Sequence, residues 1–298
     1  MTVTSLNSYS FAFNDFVFGG ADSPYQILNV DGLEDLPSIR NQDDNRGYQD
    51  GMFTGRDFLS GRTITMTIQI LAGNSKSMAE NVQLMQATLK PQQSGTAPLQ
   101  FQIPGSSLQR VEARVRRRAL RVDPDFTYGK AVAIYEFFCP DPRRYDDTLQ
   151  TTDLFSSSST IGRTYNRIYN TAPNTGQNPF VNGMSFGGGT SASNLIYNAG
   201  WTTTYPVITL TGSAVNPRIT NVTTGQFLLF NTTLGIGDVL QVDTGLRSVT
   251  LNGISRRAIL VNSSTWFAAE PGNSYYTYTA TGTDANTTCQ VSWRNAYI

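Results

Sequence analysis

The chain has 298 residues with 22 basic and 22 acidic side chains, so its net charge is zero and no long-range attraction to nucleic acid or an anionic membrane is expected. It contains no histidine and only two cysteines, which excludes Ser/His and Cys/His nucleophile activation and most zinc and iron sites. We therefore predict no catalytic residues, no cofactor and no metal site. Glycoside hydrolysis by a carboxylate pair stays open, because it needs no histidine.

The length predicts roughly two domains of about 150 residues each. The charges are uneven, since residues 1–150 hold 15 basic and 17 acidic side chains and the rest of the chain holds 7 and 5. The first residues lack the basic residue and following apolar segment that are typical of a secretory signal. The sequence also has no run of about 18 apolar residues that could span a bilayer. We expect a soluble product made in a cytosol, without membrane insertion.

The first half reads as a series of strands. Residues 10–18 and 25–30 are each predicted to form one strand, and a polar, charged loop covers residues 31–50. Residues 63–70 give the cleanest strand pattern, because isoleucine and methionine alternate with threonine and glutamine. That alternation predicts a sheet with one buried face.

One helix is predicted after this strand. Apolar residues recur at helical spacing at Met78, Val82, Met85 and Leu89. Ser77 and Glu80 fit a capping box at its start, and Pro91 stops it. The apolar stripe should close over one face or edge of the sheet.

Residues 109–122 predict a strand with an apolar face and an arginine-rich face. The arginines at alternate positions are Arg114, Arg116 and Arg118. They could form a basic strip that faces phosphate in a channel or contacts a partner, or they could be exposed and paired with nearby carboxylates. We favour pairing, because the domain is slightly acidic and lacks interleaved stacking aromatics.

The boundary between domains is placed near residue 148. Residues 130–139 form the last predicted strand of the first domain, and prolines at 140 and 142 bar ladder hydrogen bonds beyond it. Residues 151–200 are low in complexity, since Ser, Thr, Asn and Gly make up 28 of the 50. We expect the first strand of the second domain inside this stretch, with a candidate at 164–169 and a flexible loop at 185–190.

The second half shows short alternating runs separated by turn sequences every eight to twelve residues. These turns lie at 216–225, 235–238, 243–245, 251–253 and 270–273. The pattern predicts an antiparallel β-sandwich. Cys139 ends one alternating strand pattern, and Cys289 lies on the apolar face of another. Both are therefore predicted to be small buried hydrophobic residues with free thiols.

Three acids of the second half are candidates for carboxylate catalysis or calcium binding: Asp238, Asp243 and Glu270. Asp238 and Asp243 lie beside glycines in turn sequences, where aspartate commonly accepts hydrogen bonds from its own backbone. Turn capping is therefore favoured over catalysis, and no DxDxDG loop supports calcium. Asn-x-Ser/Thr sequences at Asn221, Asn231, Asn262 and Asn286 are read as turn and strand composition.

Three aromatic residues could form a platform for a sugar: Trp201, Trp266 and Tyr276. Because aromatic residues at alternating strand positions usually pack in a core or on a sheet face, packing is the favoured interpretation.

An ordered set of segments resembles the distal tail (Dit) and related minor tail proteins of long-tailed, siphovirus-type bacteriophages. The first half contributes GLEDLPSIRNQDDNRGYQDG, GRDFLSGRTITMTIQI, the single helix and YEFFCPDPRRYDD. The second half contributes NAGWTTTYPVITLTGSAVNPRITNVTTGQFLLF, GDVLQVDTGLRSVTLNG, STWFAAEPGNS and VSWRNAYI. These segments touch most of the chain except residues 150–190.

The resemblance implies a mainly β protein with two β-sandwich-like domains. Residues 1–148 would be a ring-forming domain with one helix, and residues 149–298 a galectin-like sandwich. In that family the ring is a hexamer that continues the tail tube, docks the tape measure and baseplate or fibre components, and leaves a channel through which DNA passes. The implied location is the virion tail tip, after assembly in the bacterial cytoplasm; a module that binds host-surface glycan is the alternative, and a glycan hydrolase is a further one.

Overall fold

The computed structural model describes residue 6 and residues 9–20, 22–154, 163–165, 184–186, 194–284 and 286–298. Its chain forms two compact units, one of residues 1–148 with 295–298 and the other of residues 149–294. The last four residues, which the sequence interpretation placed in the second domain, are thus part of unit 1. Predictions for residues 166–169 and 187–190 lie outside the described residues. The described residues contain no helix with the length and hydrophobicity that crossing a membrane requires.

Unit 1 is built from strands and one α-helix. In chain order they are β1 Ser10–Phe13, β2 Phe16–Gly19, β3 Tyr25–Asp31, β4 Ile39–Arg40, β5 Asp44–Asn45, β6 Met52–Phe53, β7 Phe58–Leu59, β8 Arg62–Leu71, α1 Ser75–Thr88, β9 Ala97–Gln102, β10 Gln109–Arg121, β11 Lys130–Cys139 and β12 Arg144–Asp146. The main sheet has the order β2-β1-β9-β10-β11-β8-β3, with all neighbours antiparallel. Strands β4 and β7, and β5 and β6, form two separate short ladders.

The strand predicted over residues 10–18 is a hairpin instead. Asn14 and Asp15 have φ angles of 50° and 65°, and the flanking strands β1 and β2 pair from Phe13 and Phe16 outward. Two successive left-handed residues give the turn whose twist matches a two-residue hairpin, and Asn and Asp tolerate that conformation. The alternating pattern does not indicate this turn, because the alternation continues unchanged through it.

The buried face predicted for residues 63–70 is confirmed on β8. Its four alternating apolar side chains are fully buried: Ile64, Met66, Ile68 and Ile70. Helix α1 buries Met78, Val82 and Met85, as its spacing predicted. Each such side chain contributes about 1.5–3 kcal/mol when removed from water, so the stripe is the main force that fixes the helix.

The predicted capping box is wrong, because the helix begins earlier. Asn74 is the N-cap, and its Oδ1 accepts a hydrogen bond from the Ser77 backbone N–H at 2.9 Å. Asparagine is as good an N-cap as serine, and its position lets the helix include Ser75 and Lys76. The helix ends at Thr88, three residues before Pro91.

Unit 2 contains strands β13 Gln150–Leu154, β14 Arg163–Tyr165, β15 Met184–Phe186, β16 Asn194–Asn198, β17 Val207–Thr211, β18 Ala214–Asn221, β19 Phe227–Leu229, β20 Thr233–Leu234, β21 Val239–Asp243, β22 Ser248–Leu251, β23 Ile254–Ser255, β24 Gly272–Thr281 and β25 Thr288–Trp293. One sheet has the order β13-β25-β17-β21-β22-β23, and another has β16-β24-β18-β19 with β20 beside β18. Their inward residues form one apolar core. The mainly β fold is confirmed, whereas the finer galectin-like description stays a prediction.

The final strand, β26 Ala296–Tyr297, pairs with β12 and closes unit 1. Asp146 holds this closure with its carboxylate. The carboxylate accepts hydrogen bonds from Asn295 Nδ2 at 2.9 Å, Tyr297 Oη at 3.2 Å and Ser107 Oγ at 3.0 Å. Unit 1 is therefore completed only when the end of the described chain returns to it.

We expect Asp146→Ala to lower the free energy of unfolding of unit 1 by about 1–3 kcal/mol, because three donors lose one shared acceptor. Hydrogen exchange measured by mass spectrometry should show faster exchange in β12 and β26 and unchanged exchange in unit 2. The matched control is Asp125→Ala, which removes an exposed carboxylate of the same unit. Equal exchange in both variants would contradict the assigned role.

Candidate functional site

The arginines predicted to share one strip are separated by a β-bulge in β10. The β10–β11 register runs from Arg114↔Phe138 and Val115↔Phe137 to Arg117↔Glu136, so Arg116 is the extra residue. A bulge shifts the side-chain alternation by one position. No feature of the sequence marks the bulge, because the apolar and basic residues alternate regularly up to that point.

As a consequence, Arg118 lies on the other face from Arg117. Arg118 is opposite Tyr135, whose ring is fully buried in the core of unit 1. Burial raises the pKa of Tyr135 to about 12, and the nearby positive charge of Arg118 acts in the opposite direction. The predicted trio is thus corrected to an arginine strip on the outer face of β10: Arg114, Arg116, Arg117 and Arg121.

The arginine strip lies beside apolar surface as well as charge. The guanidinium of Arg116 lies 3.5 Å from the centre of the Phe138 ring, a cation–π contact, and Arg114 approaches the same ring at 5.6 Å. Arg117 pairs with Glu136 at 3.3 Å. The favoured interpretation of exposed, carboxylate-paired arginines therefore fits Arg117, while Arg116 stacks on an aromatic ring that the prediction did not include.

The loop predicted over residues 31–50 is half of a two-ladder hairpin, called here the arm (residues 36–60). In its first ladder Ile39 pairs with Leu59, and in its second Asp44 pairs with Phe53. Between the ladders, the Gly55 backbone N–H donates to Asp43 Oδ1 at 2.8 Å. A Cβ at Gly55 would lie 2.0 Å from the Gln42 carbonyl oxygen, so only glycine permits the two chains to approach this closely.

Two buried arginines that sequence reasoning missed hold the base of the arm. Arg62 Nη1 donates to the carbonyl oxygens of Gly32 at 2.9 Å, Leu33 at 2.6 Å and Asp35 at 2.8 Å, and its Nε donates to Pro142 O at 3.0 Å. These contacts join segments about 30 and 80 residues away along the chain. No local pattern could reveal them, because Arg62 occupies an ordinary strand position.

The second buried arginine, Arg144, extends this anchorage. It forms an ion pair with Glu34, and its Nη2 donates to Ile298 O at 3.3 Å. Burial lowers the pKa of Arg62, and the charge of Arg144 lowers it further. Arginine nevertheless stays protonated in proteins, so both guanidinium groups act as fixed, multidentate donors.

The three candidate acids of unit 2 serve mainly as turn and loop acceptors. Asp238 Oδ2 accepts from Gly235 N at 2.8 Å, and Asp243 Oδ1 accepts from the backbone N–H groups of Gly245 and Leu246. Glu270 Oε2 accepts from Thr203 Oγ1 at 3.2 Å. The described residues contain no group of three or more His, Cys, Asp or Glu side chains that could hold a metal ion.

The pKa of the Asp238 carboxyl is lowered by hydrogen bonds from Asn252 and Gly235. A general acid for glycoside hydrolysis needs a raised pKa, so the environment of Asp238 acts against that role.

The three candidate aromatics do not share one surface. Tyr276 is fully buried and packs edge-to-face on Phe267, with ring centres 5.1 Å apart, so it cannot contact a ligand at the surface. Trp266 packs against the core under Arg257, whereas Trp201 is 65% exposed. Alternation explains the outcome for Tyr276, because β24 directs every second residue inward.

The remaining candidate side chains have structural roles. Cys139 and Cys289 are buried free thiols; burial raises the pKa of Cys139 to about 12 and raises that of Cys289 as well, so neither is an activated thiolate. Asn221, the first of the Asn-x-Ser/Thr sequences, is fully buried, and its Oδ1 accepts from Thr223 N and Thr224 N.

Comparison with known families gives a match over most of unit 2. Residues 199–297 match the family model described as siphovirus-type tail component, C-terminal domain, SPP1 Dit type. The resemblance to distal tail proteins is therefore confirmed. A search of curated protein sequences found no match.

Solved structures of tail components share the fold of the whole chain. The crystal structure of the Dit protein of phage SPP1 is 14% identical with a TM-score of 0.64, covering 97% of this chain and 99% of that one. Chains of the phage P2 baseplate in its activated conformation, solved with Ca and with Sr, are 10% identical with TM-scores of 0.50 and 0.51. Both cover 95% of this chain and 97% of that chain.

For the base of the arm, we expect Arg62→Ala to lower the free energy of unfolding of unit 1 by roughly 3 kcal/mol or more, because four carbonyl groups lose a buried donor. Arg62→Lys should recover only part of this loss, because one ammonium cannot reproduce the guanidinium fork. The measurement is chemical denaturation together with hydrogen exchange of residues 32–60.

The matched control for this prediction is Arg40→Ala, which removes an exposed arginine of the arm and should change stability by no more than about 0.5 kcal/mol. If the Arg62→Ala and Arg40→Ala variants lose equal stability, the anchoring role of Arg62 is wrong.

For the turn acids, we expect unit 2 to lose stability as the pH falls through the lowered pKa of Asp238. A carboxyl whose pKa is lower in the folded state stabilises that state above its unfolded pKa of about 3.9, and this contribution disappears below the folded value. Asp284, whose pKa is lowered by hydrogen bonds from the Asn286 N–H and the Ser213 hydroxyl, should behave in the same way. Thermal unfolding of wild type and Asp238→Asn between pH 2 and 6 tests this: a variant as acid-sensitive as wild type would refute it.

Proposed function

We propose that this protein is a structural component of a phage tail tip. It forms a hexameric hub ring that joins the tail tube to the baseplate or fibre apparatus and leaves a channel for DNA. The observation that carries the proposal is the match of fold over nearly the whole of both chains with the SPP1 Dit protein, whose structure is described as a paradigm for the hub of the adsorption apparatus in phages that infect Gram-positive bacteria.

The family match of residues 199–297 supports the same role independently, because it is a match of sequence rather than of fold. The side chains agree with a structural function. The acids that could have served in catalysis accept hydrogen bonds in turns and loops, and the buried guanidinium of Arg62 holds backbone segments in place. In this proposal unit 1 forms the ring, and the partners are the tail tube, tape measure and baseplate proteins.

Purified full-length protein at high concentration should form a six-fold ring with a central hole. Negative-stain electron microscopy shows the symmetry, and light scattering should give about six times the chain mass of 32.7 kDa. Monomers at every concentration, both alone and after mixing with tail tube protein, would contradict the proposal.

Location is tested separately from symmetry. Antibody raised against unit 2 should label one end of the tail in intact virions, at the tip, when viewed by immunogold microscopy. Label along the whole tail or on the capsid would exclude a tip hub even if rings form in solution.

A further inference from the structure

The arm carries large apolar side chains on both of its faces. Register pairing places Ile39 beside Leu59 and Phe58 beside Arg40, and neighbouring residues of a strand point to opposite faces. Ile39 is 50% exposed and Phe58 43% exposed, so the described residues leave apolar surface open on both faces of this ladder. Phe53, farther out on the arm, is 61% exposed.

Exposed apolar surface on such an arm is informative, because an isolated two-stranded hairpin is at best marginally stable in water. The anchorage by Arg62 and Arg144 holds its base in one place, and the tight contact at Gly55 joins the two ladders. An anchored arm with exposed apolar side chains on both faces is typical of a segment that docks on a partner, rather than of a solvated loop.

The same unit carries a surface of complementary charge. The arm, residues 36–60, contains four acidic and three basic side chains and so has a net charge of −1, whereas residues 114–121 contain five arginines and no acid. The outer face of β10 and β11 also offers apolar partners, because Ile134 is exposed and Phe138 is partly so. Two different surfaces of opposite charge on one chain are what a head-to-tail contact between identical copies requires.

We propose that the arm of one copy docks on the arginine strip of a second copy of this chain, so that Met52, Phe53 and Phe58 contact the surface around Ile134 and Phe138, and arm carboxylates meet Arg116 and Arg121. The proposal rests on the proposed ring and names its interface. It assigns the arginine strip to contact between copies instead of to DNA in the channel.

The first test compares oligomeric state by light scattering and native mass spectrometry. Met52→Ser/Phe53→Ser removes apolar arm surface, and Arg116→Glu/Arg121→Glu reverses the strip; each should weaken assembly at least tenfold and leave the thermal unfolding temperature unchanged. The matched controls are Leu84→Ser on helix α1, which alters a similarly exposed apolar residue, and Lys76→Glu/Lys90→Glu on and just after that helix, which makes the same change in charge.

Mixing the two defective variants gives a sharper test. The arm variant keeps an intact arginine strip and the strip variant keeps an intact arm, so one contact can form between them. A 1:1 mixture should therefore give a heterodimer and no ring, which supports a head-to-tail contact between these two surfaces. A mixture that stays monomeric contradicts it.

Three further outcomes are decisive. If wild type assembles and both variants assemble equally well, the interface is elsewhere, while the proposed function stands. If the strip variant assembles but virions carrying Arg114→Ser/Arg116→Ser/Arg117→Ser eject DNA poorly, the strip faces the channel and the inference is wrong. If wild type itself never assembles, the proposed ring fails and the inference with it.

Discussion

A single buried guanidinium joins the parts of unit 1 that matter for its proposed role. Arg62 donates to four backbone carbonyl groups, three at the base of the arm and one in the segment that leads into β12. A buried carbonyl oxygen without a donor costs free energy, so Arg62 stabilises these segments through its Nη1 and Nε donors. The position of the arm therefore follows from one side chain at the start of β8.

Arg144 connects this anchorage to the closure of unit 1. It pairs with Glu34 beside the arm and donates to Ile298, while β12, where it lies, pairs with β26. The residues that follow unit 2 in the chain are thus needed to complete the surroundings of the arm. A hydrogen-bond network of this kind favours one geometry, because each arginine pairs with polar groups that the other does not contact.

The β-bulge at Arg116 decides which charges face outward. Without it, Arg114, Arg116 and Arg118 would share a face, as regular alternation requires; with it, Arg117 takes the outer position and Arg118 lies opposite Tyr135. A one-residue insertion therefore converts a simple basic stripe into a surface where arginine, Glu136 and the Phe138 ring lie together. Such a mixed surface suits recognition of protein better than of phosphate, because protein partners supply both apolar and acidic groups.

The sequence by itself determined the features that depend on local periodicity. The buried face of β8, the stripe of α1 and the turn role of Asp238 and Asp243 were all predictable, since each depends on neighbours within a few residues. Only the tertiary structure decided the hairpin at Asn14, the bulge at Arg116 and the return of β26 to unit 1. These features depend on which strands pair and in which register, and that choice is made by contacts between residues far apart in the chain.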